Sequence, residues 1–258
     1  RMLGENDDDR MFGQGGDDVM IGGRGNDVMQ GMADNDYVAG GVSDDAVYGD
    51  NGDDRLFGDG GEDSLFGGDG DDLLEGGSGA DGLFAGADDD SLFGQVGDDR
   101  LLGSDGNDFL SGGHGNDELD GGDGFDIFFF ENSGSSHWDT IDDFASGEDM
   151  IELARAHFAA LPAGSSLALS AFHLGSAAAD GDDRIIYDTA TGDLFYDRDG
   201  TGGAAQRLIA NLGVGTVLEA SDIMISEPMA AAAPVVAGPI LPDLVWLPPV
   251  NLPEVMLL

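Results

Sequence analysis

The chain has 258 residues, 53 of them acidic and 9 basic, with no cysteine, for a formal net charge of −44. That charge excludes nucleic acid and anionic membrane surfaces as partners. Without cysteine there is no disulfide frame, no thiol nucleophile and no thiolate metal site.

In chain order, Arg1-Met2-Leu3 fit positions seven to nine of a repeat unit, with Met2 at the inward place. The chain therefore opens inside a repeat, and it is expected to be a piece of a longer protein with an upstream domain. From Gly4 to Phe129 run fourteen consecutive nine-residue units, G-x-x-G-x-D-x-U-x with U apolar, without insertion or deletion. The sixth position is Asp in every unit: Asp9, Asp18, Asp27, Asp36, Asp45, Asp54, Asp63, Asp72, Asp81, Asp90, Asp99, Asp108, Asp117 and Asp126. The eighth is apolar in every unit, from Met11 to Phe128. The first is Gly except at Ala85, and the fifth is Asp, Glu or Asn except at Ala80 and Phe125. A fixed period with fixed chemistry marks a solenoid. An acidic, glycine-rich disordered linker would not keep an apolar residue at every ninth position.

Glycines at positions one and four, often also two, are read as supplying positive φ for a six-residue turn, which leaves three residues for a strand. Alternation then points position eight inward and positions seven and nine outward. Two units make one coil, so the aspartates stack in two columns, one on each edge. Adjacent strands lie about 4.8 Å apart, which brings the carboxylates of a column close together. A hard cation with oxygen ligands relieves that repulsion. Calcium, with six to eight oxygens, suits it better than magnesium, which demands a strict octahedron and keeps its waters. Two columns of seven give at most about twelve same-edge pairs, hence several Ca2+ ions and up to about twelve. The repeat span carries 34 acidic residues and 4 arginines, a net of −30, which about twelve calcium ions nearly neutralise.

The units resemble the calcium-binding nonapeptides of RTX (hemolysin-type) proteins. The resemblance implies a right-handed parallel β-roll with calcium between successive turns on each edge. It also implies carbonyl ligands from positions two and four beside the aspartate at six. Asp7, Asp34, Ser43 and Asp88 replace glycine at position four, which puts the turn at those units in question. At position nine, Tyr48, Phe66, Phe84 and Leu102 form an outward ladder on one sheet. It reads as cross-strand stacking, or as a docking face.

After Phe130 the rhythm stops. Residues 139–153 hold two strand-like runs around Ser146-Gly-Glu-Asp149, and 154–161 read as a short helix ended by Pro162. Residues 184–187 and 194–196 flank a turn as a hairpin, and 206–212 and 220–225 read as strands. The run D-x-I-x-D-F-x-x-G-x-D-x-I-x-L from Asp139 to Leu153, with Leu194-Phe-Tyr-Asp-Arg-Asp-Gly-Thr-Gly202, resembles the C-terminal part of serralysin-type secreted metalloproteases. That resemblance implies a region that follows a β-roll and serves export by a type I secretion system.

The expected architecture is all-β: an RTX β-roll over 1–129, a mostly β, serralysin-like cap and secretion domain over 130–226, and a Pro-rich apolar tail over 227–258. The tail ends Glu254-Val-Met-Leu-Leu258, similar to the extreme C-terminus of type I secretion substrates. Seven of the eight prolines lie in it and Asp243 interrupts it, so it is not read as a transmembrane helix.

No H-E-x-x-H or G-x-S-x-G motif occurs, and none of His114, His137, His157 and His173 is followed by Glu. The chain itself is therefore not read as an enzyme. The expected function is a calcium-binding module of a secreted RTX protein that folds outside the cell and supports type I secretion. Two alternatives stand beside it. One is a surface structural or adhesive protein; the other is the C-terminal part of a secreted metalloprotease or other enzyme.

Overall fold

A computed structural model of the chain describes residues 1–131, 138–161 and 165–226. The expectations for the 227–258 tail and for His137 lie outside these residues. Successive units place their strands alternately in two sheets. One sheet runs from Met2–Glu5 through Val19–Arg24 and Tyr37–Val42 to Ile127–Phe130; the other runs from Arg10–Phe12 through Val28–Ala33 to Glu118–Asp123. Every pairing within this span is parallel, with partners eighteen residues apart, as in Met20↔Val38 and Leu65↔Leu83. The fold is thus an all-β parallel solenoid with two nonapeptides per coil.

The eighth-position side chains form a single file between the sheets. From Met20 to Phe128 each is fully buried, and Met11 at the first coil retains 7% exposure. Position seven faces outward throughout, with Arg10, Arg55, Arg100 and Glu118 exposed. On one outer face Tyr48 and Phe66 stack with centroids 4.8 Å apart, and Phe66 and Phe84 at 5.0 Å; Leu102 pairs with Phe84.

The expected division into a three-residue strand and a six-residue turn is not what forms. A typical strand spans six residues, as in Val19–Arg24, from position seven through position three of the next unit. The eighteen-residue register persists there (Gly23↔Gly41, Arg24↔Val42), and the N–H at position four still donates to the next coil, Gly25 to Val42. Positive φ falls at two of the three expected positions. It occurs at positions two and four, as at Gly23 (114°) and Gly25 (110°), and not at the position-one glycines. Asp34, Ser43 and Asp88 at position four take this left-handed conformation (72°, 96° and 80°), while Asp7 does not. Short polar side chains tolerate it best among non-glycine residues.

Beyond the repeats both sheets continue. Asp139–Ile141 pairs with Glu118–Asp123, then Arg207–Asn211 pairs with Asp139–Ile141. On the other side Met150–Ala154 pairs with Ile127–Phe130, and Ile223–Ser226 with Met150–Ala154. The expected hairpin is present as Ile185–Asp188 antiparallel to Asp193–Tyr196. The helix expected over 154–161 is absent. Ala154 belongs to a strand paired with Ser226, which leaves only a turn closed by the N–H groups of His157 and Phe158 on Ala154 O.

Candidate metal centre

Each strand begins just after a sixth-position aspartate, so the solenoid register stacks these residues without help from any loop. Their carboxylates are divided in use. Through Oδ1, each from Asp27 onward accepts the backbone N–H of the aspartate one coil earlier: Asp27 from Asp9 at 2.8 Å, Asp45 from Asp27 at 2.7 Å, Asp81 from Asp63 at 2.8 Å, Asp90 from Asp72 at 2.7 Å. The second column does the same, as in Asp54 from Asp36 and Asp108 from Asp90. Among the described residues, Oδ2 of Asp9, Asp27, Asp36, Asp45, Asp54, Asp63, Asp72, Asp81, Asp90, Asp99, Asp108 and Asp126 is buried with no hydrogen-bond partner.

The surroundings of Oδ2 explain the glycine at position one. A Cβ built on Gly76 would lie 2.6 Å from Asp81 Oδ2, and one on Gly4 would meet Asp9 Oδ2 and Gly22 O at 2.5 and 2.6 Å. This glycine is there for space and not for φ. The carbonyls of positions two and four also point into the interval between coils. A Cβ on Gly23 would sit 2.5 Å from Glu5 O, and one on Gly70 2.5 Å from Gly52 O. Carboxylate and carbonyl oxygens thus accumulate along each edge; of the position-two carbonyls, Met32 O accepts from Asn51 and Asp59 O from Ser78.

A buried carboxylate in that setting resists ionisation. Burial, reinforced by the neighbouring aspartates of the stack, pushes Asp45, Asp54, Asp108 and Asp126 up to about 6. It pushes Asp63, Asp72 and Asp99 up to about 7, and Asp90 up to about 8. Such an array holds protons or cations. Oxygen-only donors, half of them anionic, fit a hard divalent ion.

Of the fourteen sixth-position aspartates, twelve are buried; Asp9 and Asp18 at the first coil are half-buried. Two further aspartates continue the columns and were missed from the sequence. Asp139 accepts the Asp117 N–H and Asp149 the Asp126 N–H, each at 3.1 Å. Burial and the neighbouring Asp117 push Asp139 up to about 8. Asp149 spends its other oxygen on the Ala145 N–H at 2.7 Å. The available signal was the D-x-U triplet at Asp139-Thr-Ile141 and Asp149-Met-Ile151. The fifth position was also underread. Its side chains accept the N–H of the following coil, as in Asp8 from Asn26 and Asp89 from Asn107, both at 2.9 Å.

Among the described residues, no histidine joins a group of three or more carboxylate or imidazole side chains. His114 and His157 are exposed on separate elements, and His173 Nδ1 lies 3.8 Å from Asp183.

A β-solenoid edged by stacked, half-committed carboxylates defines a class of calcium-binding protein, and sequence comparison places the repeats within it. The profile of the RTX calcium-binding nonapeptide repeat (four copies) matches residues 1–29, 21–56, 30–65, 57–92 and 93–128. The repeat region belongs to that family, and its cofactor is Ca2+. No curated protein sequence matches the chain significantly. Among solved structures, the AlgE6R3 subunit of the mannuronan C5-epimerase of Azotobacter vinelandii is similar at 26% identity and a TM-score of 0.39, over 57% of this chain and 79% of that one. The extracellular lipase LipA of Serratia marcescens is similar at 16% identity and a TM-score of 0.33. That match covers 77% of this chain and 40% of the lipase, so the chain spans less than half of the lipase's length.

Proposed function

We propose that the chain is an extracellular calcium-dependent folding module, with the fourteen sixth-position aspartates, Asp9 to Asp126, as its carboxylate ligands. The observation that carries this reading is the row of buried Oδ2 atoms without partners, beside Oδ1 atoms that from Asp27 onward each accept a backbone N–H. Calcium supplies positive charge and a shell of six to eight oxygens. Among the described residues no three carboxylate or imidazole groups gather at one point. Carbonyls of the left-handed positions two and four therefore complete the ligand set in this reading.

Export follows from the same chemistry. A chain with a net charge of −44 and a core one side chain wide does not hold together where calcium is scarce. It stays threadable inside the cell and folds outside, because a site that exists only in the folded state couples binding to folding. Residues 130–226, which resemble the serralysin C-terminal part, act here as the cap of the roll and, with the 227–258 tail, as the element that a type I secretion system handles. Among the described residues no helix is long and apolar enough to cross a membrane. On the outer face, Tyr48, Phe66 and Phe84 turn their ring faces on one another, which supports cross-strand stacking over a contact face for an adhesin.

Far-UV circular dichroism tests the reading. The metal-free chain is expected to give a coil-like spectrum, and millimolar calcium a cooperative gain of β signal that equal magnesium does not reproduce. A β-rich spectrum that survives chelation would overturn it.

A further inference from the structure

We propose that Ala85, the one position-one residue of the repeats that is not glycine, builds a weak calcium step into its column by crowding Oδ2 of Asp90. Position one is glycine in the other thirteen units, and at each of them a Cβ would fall within 3.0 Å of Oδ2 of the aspartate five residues later. Ala85 carries that Cβ and is 2% exposed, so the methyl has no room to turn outward.

The surrounding structure does not yield. The strand Gly82–Ala87 keeps its parallel register on both sides, with Leu83↔Leu65 and Leu83↔Leu101. Asp90 Oδ1 still accepts the Asp72 N–H at 2.7 Å, and the Asp90 N–H still donates to Asp108 at 2.8 Å. With the backbone and Oδ1 held, the space for the methyl comes from the side of Oδ2, which is buried and has no partner. That oxygen is the one offered to a cation. Ala85 thus leaves the fold intact and degrades only the ions that use Asp90, whose neighbours in the column are Asp72 and Asp108. The consequence is two classes of calcium in one roll: a majority of like sites, and a weaker minority at the tenth unit.

The inference rests on the sixth-position aspartates as ligands. The experiment is calorimetric calcium titration of the full chain, with Ala85→Gly and Gly94→Ala as variants. The wild type is expected to show a minor weak class, which A85G tightens on the order of tenfold, since site charge and rigidity set calcium affinity over wide ranges. G94A, which crowds Asp99 in the other column, is expected to enlarge the weak class. A purely structural role for Ala85 gives the opposite sign, because glycine's greater freedom in the unfolded chain raises the calcium requirement of the whole roll. A uniform rise in that requirement for A85G, or no change, overturns the proposal while leaving the ligand assignment standing. A wild-type chain that binds no calcium overturns both.

Discussion

In the proposed function a sixth-position aspartate serves the fold with one oxygen and the ion with the other. From Asp27 onward Oδ1 ties its coil to the one before, while Oδ2 of Asp45, Asp63 and Asp90 is buried without a hydrogen-bond partner. The cost of that arrangement appears in its titration. Folded, metal-free carboxylates lie at about 6 to about 8 (Asp45, Asp63, Asp90), against an ordinary value of 3.8. A raised folded-state value means that the proton stabilises the roll. The contribution is complete below about pH 4 and is lost as the pH rises through about 6 to 8. The metal-free chain is therefore expected to gain β structure on acidification from pH 8 to pH 4, and calcium binding at pH 7 to release protons. Circular dichroism against pH checks the first, and calorimetry in buffers of different ionisation enthalpy the second. A metal-free chain equally unfolded at both pH values would contradict the assignment of these buried groups.

At the scale of the strand and coil, each unit is fixed to its neighbours by the same bond repeated every eighteen residues. Asp63 holds the Asp45 N–H and has its own N–H held by Asp81, whereas the Asp9 carboxylate holds no N–H of an earlier coil among the described residues. Asp63→Ala removes a charged hydrogen bond worth about 1.5–3 kcal/mol together with a proposed ligand in mid-column. It is expected to raise the midpoint of calcium-induced folding and lower its cooperativity. Asp9→Ala is expected to lose local order alone, since a solenoid's stability is a sum of unit and nearest-neighbour terms. Equal effects in parallel calcium titrations would show that the coils are not coupled as a linear array. This element is also where the sequence is most readable. An unbroken period places Met11 to Phe128 inside and the aspartates on the edges without ambiguity. Asp139 and Asp149 escape the same reading because they follow Asp126 by thirteen residues and then by ten, out of phase with nine. The glycine of position one is visible in the sequence, but its reason is not, since close approach to Oδ2 is a fact of packing. Residues 154–161 look helical by composition, yet pairing of 151–154 with 223–226 claims the start of that segment for the sheet.

For the whole molecule, charge and core size decide the behaviour together. The repeats place 34 acidic residues on a scaffold whose interior is one side chain wide, and nothing in their composition offsets that charge. In the proposed function the fold and the cofactor are parts of one equilibrium, in which the columns exist as sites only when the coils are stacked. The strands from 138 to 226 continue both sheets, so the stack passes into the C-terminal residues without a break in pairing. The measurement that tests this most directly is the number of calcium ions bound per folded chain, by equilibrium dialysis at neutral pH with the β signal recorded on the same samples. Two columns of seven predict several ions, up to about twelve, taken up over the concentration range in which β structure appears. A folded chain holding one ion or none would contradict the account.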